Sequence, residues 1–163
     1  MSAWRIRAAD AGDAPALAGL RWEFRAALGT PDEDPAAFRA RCTGWMADRL
    51  WSGRWRCWVL DHDGVIDGQL WLQPIEKIPN PVAEPELHAY ISNVYLRPHQ
   101  RGSGAGGALV ATAMAWCRAN GIDAVILWPT PRSRPLYARH GFHEEGAVME
   151  AVVGSRRDLS GSG

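Results

Sequence analysis

The feature that most constrains the fold is a glycine-rich loop between a β-rich apolar run and an amphipathic stretch. Four of the six residues at positions 102–107 are glycine. They follow the run Leu87–Leu96, which is typical of a central strand and which Pro98 ends. After them, apolar residues recur at helical spacing: Leu109, Ala113, Trp116 and Cys117. The pattern predicts a buried strand, a tight loop and a helix in direct succession.

Such a loop is unfavourable unless its backbone approaches a ligand, because glycine loses the most conformational freedom on folding. Amides at a helix start lack intrahelical partners and sit at the positive end of the dipole, so an anion such as phosphate is the natural ligand. A P-loop would contain a lysine, and this loop has none. Gly102, Gly104 and Gly107 formally match a dinucleotide-binding fingerprint, but they do not follow the first strand. An ordinary glycine-rich turn remains the alternative.

Hydrophobic periodicity places further elements before this loop. Alternation predicts a strand at Trp4–Ala8 and a later hairpin with its turn at residues 61–64. Between them, apolar residues at offsets of three and four predict two helices, the first ending at Gly29. Four prolines make residues 73–86 a predicted loop, which at that length is more often functional than idle.

After the glycine-rich loop and its helix, we predict a strand at residues 125–128, a short helix at 133–140 and a last strand at 148–153. The element order is β, two helices, three strands, α, β, α, β. This order is typical of a mixed α/β sheet with helices on its faces.

Composition limits the classes of function. The 163 residues predict one domain at 1–154, followed by a flexible tail at 155–163. Eighteen basic residues balance eighteen acidic ones, which disfavours a nucleic-acid partner, and no apolar run is long enough to predict a membrane span. The N-terminus lacks an apolar signal core, and three cysteines without metal-site spacing predict free thiols, no metal and a cytoplasmic location.

Two motifs resemble those of the GNAT superfamily of acetyl-CoA-dependent N-acetyltransferases. Residues 94–106 are similar to motif A, whose loop reads Arg or Gln, two residues, Gly, one residue, then Gly or Ala; Arg101, Gly104 and Gly106 fill it. Residues 134–142 resemble motif B, an aliphatic-Tyr pair on a helix that ends in Gly-Phe. The motifs have the expected order and spacing, and the resemblance is specific from about residue 90 to residue 142.

The resemblance implies a fold and a reaction. The fold is a mixed, mostly antiparallel central sheet of six to seven strands, with helices on both faces and central strands that splay apart. The reaction is direct transfer of an acetyl group from acetyl-CoA, as co-substrate, to a primary amine of a small molecule or peptide. A homodimer is also compatible with the resemblance. Two alternatives stay open: an acyltransferase that uses a longer acyl-CoA, and a non-catalytic acyl-CoA sensor or interaction domain.

The resemblance also implies which residues bind acetyl-CoA. The strand end at Val94, Tyr95 and Leu96 pairs with the pantetheine arm, and a backbone amide near Leu96 meets the oxyanion. The loop cradles the pyrophosphate with Arg101, Gly102, Ser103, Gly104, Ala105 and Gly106. Thr130 stands where many relatives carry asparagine, and it or Ser133 offers a hydroxyl group. Arg132 or Arg134 is placed to reach the 3′-phosphate.

Catalysis needs a proton donor for the leaving thiolate and a base for the amine. Tyr137 matches the family position whose hydroxyl often protonates the thiolate, with a core aromatic role as the alternative. Glu86 is the first candidate base and His88 the second, because relatives often place a carboxylate on this strand. Water held by Ser92 or Asn93 is the remaining alternative.

Nine tryptophans are more than a core of this size needs. Five of them lie in the second predicted helix and the hairpin, the region from which such folds form the acceptor pocket: Trp45, Trp51, Trp55, Trp58 and Trp71. They predict either an aromatic wall for a flat or cationic amine or plain core packing. Five acidic residues are candidates for selecting a positively charged acceptor: Asp61, Asp63, Glu76, Glu84 and Glu86.

Overall fold

The computed structural model describes residues 4–144, 146 and 148–154. Five strands are present in this part of the chain: β1 (Trp4–Ala8), β2 (Arg56–His62), β3 (Val65–Glu76), β4 (Leu87–Leu96) and β5 (Ile122–Ile126). The α-helices there are α1 (Ala14–Ala26), α2 (Pro35–Ser52), α3 (Ala105–Ala119) and α4 (Arg134–Ala138). The flexible tail predicted at 155–163 lies outside the described residues.

The strands form one sheet in chain order, from β1 to β5. Neighbouring strands from β1 to β4 are antiparallel, whereas β4 and β5 are parallel. This confirms the predicted mixed, mostly antiparallel sheet. The described residues contain five strands instead of six or seven, and residues 148–153 form no strand. Their β-branched composition favours an extended segment, but a strand also needs a paired neighbour, and the described residues provide none.

Helices cover both faces of the sheet, as predicted. On one face, α1 and α2 pack against a core that includes Cys57, Val59 and Trp71. On the other face, α3 and α4 pack against a core that includes Leu70 and Leu72. Strand alternation separates the two cores, because Leu70 and Leu72 flank Trp71 and point to the opposite side.

Several element boundaries differ from the predicted ones. β3 runs through Pro74 to Glu76, so the predicted loop at 73–86 begins only after residue 76. β5 starts directly after Gly121, whose left-handed φ of 67° turns the chain out of α3, and it ends at residue 126 instead of 128. Helix α4 covers five residues within the predicted range 133–140. β4 has the predicted bounds.

A β-bulge in β4 changes which side chains share a face. Gln69 of β3 lies opposite Tyr95, and Trp71 lies opposite Ser92, so two steps along β3 match three along β4. Asn93 takes up the extra residue with a φ of 55°, a conformation that asparagine tolerates better than most residues. Ser92 and Tyr95 therefore lie on the same face although they are three residues apart.

The same part of β4 separates from its other neighbour. Pairing with β5 stops at Tyr90 and Ile126, while β4 continues to Leu96. Beyond Tyr90, the backbone of β4 therefore has an open edge toward β5. β4 and β5 therefore separate beyond Tyr90. A splay of central strands is what the family resemblance implies.

Asp61 links β1 to the hairpin and makes stability sensitive to acid. Its carboxylate accepts hydrogen bonds from Arg5 and Arg7 at 3.0 and 2.9 Å and from the Gly64 amide at 2.9 Å. Arg7 contributes most to lowering the pKa of Asp61, which is about 2. Its ordinary pKa in the unfolded chain is about 3.9. The stabilisation is therefore complete above pH 4 and lost as the pH falls through 2.

We expect Asp61→Asn to lower the urea unfolding midpoint most at pH 6, because the variant lacks these ion pairs at every pH. The difference from the wild type should shrink as the pH falls from 4 toward 2. Urea titrations of both proteins at pH 6, 4 and 2.5 measure it. A difference that stays constant with pH would show that the charge of Asp61 contributes nothing.

Candidate active site

A cavity of about 360 Å³ opens beside the second half of β4. Its walls are residues 91–96 of β4, the glycine-rich loop and the segment from residue 127 to residue 139, with Phe24 of α1 at one side. The predicted cofactor residues that line it are Val94, Tyr95, Leu96, Arg101, Gly102, Gly104, Gly106, Thr130 and Ser133. Tyr137, the predicted acid, lines it as well. We call this space the donor cavity.

The glycine-rich loop leads into α3 through a left-handed glycine. Gly104 caps α3 in a left-handed conformation, with φ 84° and ψ −4°. The Ala108 amide is the first to donate within α3, to the Gly104 carbonyl at 3.0 Å, so the amides of residues 105–107 have no intrahelical acceptor. A Cβ added at Gly102 or Gly104 would meet no atom within 4 Å. The glycines are therefore needed for their backbone conformation.

Buried Asp67 of β3 braces the turn that leads into this loop. Its carboxylate accepts hydrogen bonds from Arg97, His99 and Gln100 at 3.1, 2.9 and 3.0 Å. Burial alone would raise the pKa of Asp67, but these hydrogen bonds bring it below its ordinary value. Arg97 also binds Glu23 of α1 through two nitrogens, at 2.8 and 3.1 Å. The turn before the loop is thus tied to both β3 and α1.

Ser103 and Ala105 belong to the loop but do not line the cavity. The Ser103 hydroxyl donates to the Gln100 carbonyl at 2.6 Å, and Ala105 is fully buried. The Ala105 amide donates to the Ser103 Oγ at 3.4 Å, so neither side chain is directed to a ligand. Arg101 turns back, and its Nε donates to the Leu96 carbonyl at 3.2 Å.

Tyr137 lies on α4 with its ring packed edge-on against Phe142, 5.7 Å between centroids. The side chain is 7% exposed, and its hydroxyl has no hydrogen-bond partner among residues 4–144, 146 and 148–154. Burial raises the pKa of Tyr137 to about 12. The phenol therefore keeps its proton at neutral pH and can donate it to an atom in the cavity.

Thr130 and Ser133 close the turn before α4 with each other. The Ser133 hydroxyl accepts from the Thr130 amide at 2.9 Å, and the two hydroxyl oxygens lie 3.1 Å apart. Arg132 lines the donor cavity. Arg134 does not, since it pairs with Glu144 and lines a separate cavity beyond β5.

The two predicted bases lie at the opposite end of β4. Glu86 is exposed and precedes the strand, and His88 is part-buried with an Nδ1 atom that has no hydrogen-bond partner among the described residues. At about 3.3 Å per residue, His88 is roughly 13 Å along the strand from Ser92. Neither residue lines the donor cavity.

A second cavity, of about 230 Å³, lies on the α1 and α2 face of the sheet. Its lining is Arg21, Phe38, Arg41, Cys42, Trp45, Met46, Trp55, Trp71, Ser92 and Asn93. Ser92 and Asn93, at the bulge, line the donor cavity too. The two cavities therefore share these two wall residues at the bulge, just beyond the point where β4 stops pairing with β5; we call this shared wall the junction. We call the second space the acceptor cavity.

The tryptophans divide between the two roles that the sequence allows. Trp45, Trp55 and Trp71 form the aromatic wall of the acceptor cavity. Trp58 packs in the other core, edge-on to Trp116, and Trp51 is 86% exposed. None of the five acidic residues predicted to select a cationic acceptor lines either cavity.

Comparison with known protein families identifies the family of this chain. The sequence matches the model of the acetyltransferase (GNAT) family over residues 18–142. The chain belongs to the GNAT family. This membership indicates acyl-CoA-dependent acetyl transfer, in agreement with the sequence motifs. A comparison with curated proteins finds no match.

Solved structures of GNAT proteins resemble this one along nearly its whole length. A GCN5-related N-acetyltransferase from Ralstonia eutropha JMP134 is 27% identical, with a TM-score of 0.76 over 93% of this chain and 100% of that one. A predicted acetyltransferase from Clostridium acetobutylicum, solved with acetyl-CoA, is 20% identical, with a TM-score of 0.78 over 93% and 97%. Glucosamine-6-phosphate N-acetyltransferase from Arabidopsis thaliana is 17% identical, with a TM-score of 0.68 over 93% and 99%. The last two likenesses show the fold.

Several residues that line this GNAT site were not predicted from the sequence. Phe24 and Arg139 line the donor cavity, and Arg21 lines the acceptor cavity. The apolar spacing of α1 assigns Phe24 to the core, and Arg21 beside it carries no pattern of its own. Asp67 reads as a hairpin residue, because its three partners are 30 to 33 positions away. Arg139 could have been predicted from the sequence. It lies one helical turn after Leu136, which also lines the donor cavity, on the predicted helix.

In the described part of the chain, no helix combines the length and apolar character needed to cross a bilayer.

Proposed function

We propose that this GNAT protein transfers an acetyl group from acetyl-CoA to a primary amine of a small molecule or peptide by direct attack. The observation that carries the proposal is the meeting of the two cavities at Ser92 and Asn93. One cavity offers backbone amides and the phenol of Tyr137, and the other offers a separate entrance for an acceptor. Two substrates can therefore reach one point from opposite sides of β4.

The donor cavity fits acetyl-CoA in its chemistry. Amides at the start of α3 and the left-handed glycines suit a diphosphate. The open edge of β4 beyond Tyr90 offers unpaired backbone groups to an amide-bearing arm. Arg132 and Arg139 bring positive charge to the same cavity for a further phosphate group. Acetyl-CoA supplies an acetyl group already activated as a thioester.

Tyr137 serves as the general acid. Its side chain lines the donor cavity, and its hydroxyl keeps its proton at neutral pH. A phenol there stabilises a leaving sulfur as negative charge develops, by donating a hydrogen bond and then the proton. The absence of a competing partner among the described residues leaves the Tyr137 hydroxyl available for this role.

The amine must lose a proton near Ser92 and Asn93, the wall that the two cavities share. Among the lining residues of both cavities there is no aspartate, glutamate or histidine. Ser92 and Asn93 have side chains that can hold a water molecule at the junction. This water takes the proton from the ammonium group and passes a proton on to bulk solvent, which leaves the neutral amine to attack. Of the alternatives that the sequence left open, the geometry favours this water over Glu86 and His88.

We expect Glu86→Gln and His88→Gln each to keep kcat within about threefold of wild type, because neither side chain reaches the junction. Steady-state kinetics from pH 6 to 9 measure this, and the acidic limb of the profile should be unchanged. A general base contributes typically about 10² to 10⁴-fold. A drop of that size in either variant, with loss of the acidic limb, would make that residue the base.

The test of the proposal is amine-dependent release of CoA. Purified protein is incubated with acetyl-CoA and a panel of small amines, amino acids and peptide N-termini, with the acetylated product identified by mass spectrometry. We expect turnover with at least one class. Binding of CoA without transfer to any amine would instead support an acyl-CoA sensor. Faster turnover with butyryl-CoA or a longer donor would change the donor and keep the reaction.

A further inference from the structure

Arg21 is a cation in the acceptor cavity without an anionic partner. Its Nη1 donates to Asn93 Oδ1 at 3.2 Å, and no carboxylate of the described residues lies within ion-pair distance of it. The other guanidinium that lines this cavity, Arg41, forms a two-nitrogen ion pair with Glu33 at 2.7 and 3.1 Å. Arg97, in the turn after β4, is likewise paired, with Glu23 and Asp67. Arg21 therefore differs from Arg41 and Arg97 in that no carboxylate of the described residues neutralises its charge.

The surroundings of Arg21 make this charge effective. Burial, and secondarily the neighbouring guanidinium of Arg25, lowers the pKa of Arg21 to about 10. The group remains protonated at neutral pH, in a site where water screens it poorly. An anion that enters the cavity would offset this unfavourable burial and gain a charge-assisted hydrogen bond.

The opposite wall suits a flat apolar group. Trp45, Trp55 and Trp71 lie with ring centroids 5.5 to 6.2 Å apart. The Trp71 Nε1 already donates to Gln69 at 2.8 Å, so that indole presents carbon to the cavity. An engineered cavity of about 150 Å³ takes benzene. A space of about 230 Å³ therefore takes one aromatic ring with short substituents.

The position of Arg21 also fixes where the amine belongs. Asn93, its partner, lines both cavities. An anion held by Arg21 therefore lies close to the junction where the amine must meet the donor. A carboxylate and an amine on the same carbon satisfy both requirements. A purely cationic amine would find no carboxylate in this lining and would leave Arg21 without an anionic partner.

We infer that the acceptor is an amine that also carries a carboxylate and a flat apolar side chain, the chemical class of an aromatic α-amino acid. The carboxylate binds Arg21, the ring lies against the tryptophans, and the amino group reaches Ser92 and Asn93. This inference rests on the proposed function, whose acceptor it specifies.

Matched acceptors test the inference in the wild-type protein. L-phenylalanine is compared with L-phenylalaninamide, which lacks the carboxylate, and with L-alanine, which lacks the ring. We expect kcat/KM for phenylalanine to exceed that of either by about tenfold or more, because the amide leaves the charge of Arg21 without its ligand and alanine buries no ring. Calorimetric binding of the same three compounds in the presence of CoA should give the same order.

Variants assign the preference to Arg21. Arg21→Gln should lower kcat/KM for phenylalanine about tenfold, to near the value for the amide, and leave the amide within threefold. Arg21→Lys should retain part of the preference. Arg39→Gln, an equal charge change at an exposed position of α2 outside both cavities, is the control. The CoA affinity and the unfolding midpoint show that each variant is folded.

The outcomes separate the two claims. If transfer occurs but phenylalaninamide or phenylethylamine equals or exceeds phenylalanine, the inference is wrong and the proposed function stands. If phenylalanine binds preferentially and no amine is acetylated, the proposed function is wrong and the pocket chemistry stands. If Arg21→Gln fails to fold, the wild-type acceptor comparison still decides.

Discussion

Replacement of Tyr137 by phenylalanine is expected to lower kcat about a hundredfold, the lower range for loss of a general acid. The reason is that the substitution removes the hydroxyl that we propose as the proton donor and keeps the rest of the Tyr137 side chain in the wall of the donor cavity. The ring and its packing against Phe142 are kept, so the affinity for acetyl-CoA should change less than threefold. Steady-state kinetics and calorimetry with CoA measure the two quantities separately.

Tyr90→Phe is the matched control for this variant. Tyr90 packs edge-on against Trp128 and Trp55 but lines neither cavity. It should keep kcat within about twofold. A Tyr137→Phe enzyme with wild-type kcat would assign Tyr137 to packing alone and leave protonation of the thiolate to solvent.

Gly104→Ala is expected to weaken CoA binding about tenfold. An alanine in the left-handed conformation costs about 1 to 2 kcal/mol, and the loop escapes this strain by moving its amides apart. Ligand binding must then restore the conformation, and about 1.4 kcal/mol corresponds to a factor of ten. The added Cβ meets no atom within 4 Å, so a clash is not the cause. Calorimetry with CoA measures the change.

Gly53→Ala separates the loss of binding from the loss of stability. Gly53 ends α2 with a φ of 70°, and a Cβ there also meets nothing within 4 Å. Gly53→Ala should lose about 1 to 2 kcal/mol of unfolding free energy, whereas Gly104→Ala should lose less, because its loop relaxes when no ligand is bound. Only the loop variant should lose affinity for CoA. Equal CoA affinity in the two variants would mean that the loop amides do not hold the diphosphate.

The donor half of the site was largely predictable from the sequence. β4, the loop and α3 follow each other within about thirty residues, and local patterns specify each of them: a β-rich run, left-handed glycines and helical periodicity. Tyr137 was identified because the resemblance to motif B fixes its place relative to the Gly-Phe that ends the helix. Patterns of this kind need no knowledge of distant contacts.

The acceptor half and the base were not predictable in the same way. Alternation along β4 suggests that Glu86 and His88 continue to Ser92 on one face toward the site, but strand alternation says nothing about distance along the strand. The bulge at Asn93 appears only when β3 is aligned with β4. Arg21 gains its significance from a contact 72 positions away. Such features depend on tertiary packing that one sequence does not display.

Helix α1 contributes to both halves of the site, through the ion pair of Glu23 with Arg97 and through Arg21. Two residues before Glu23, the same helix carries Arg21 into the acceptor cavity, while Glu23 steadies the turn ahead of the glycines. A tilt of α1 that made room for a different acceptor would also move Glu23, which holds Arg97 in the turn before the glycine-rich loop. Redesign of substrate choice is therefore better done by exchanging side chains on α2, which carries neither residue of this ion pair.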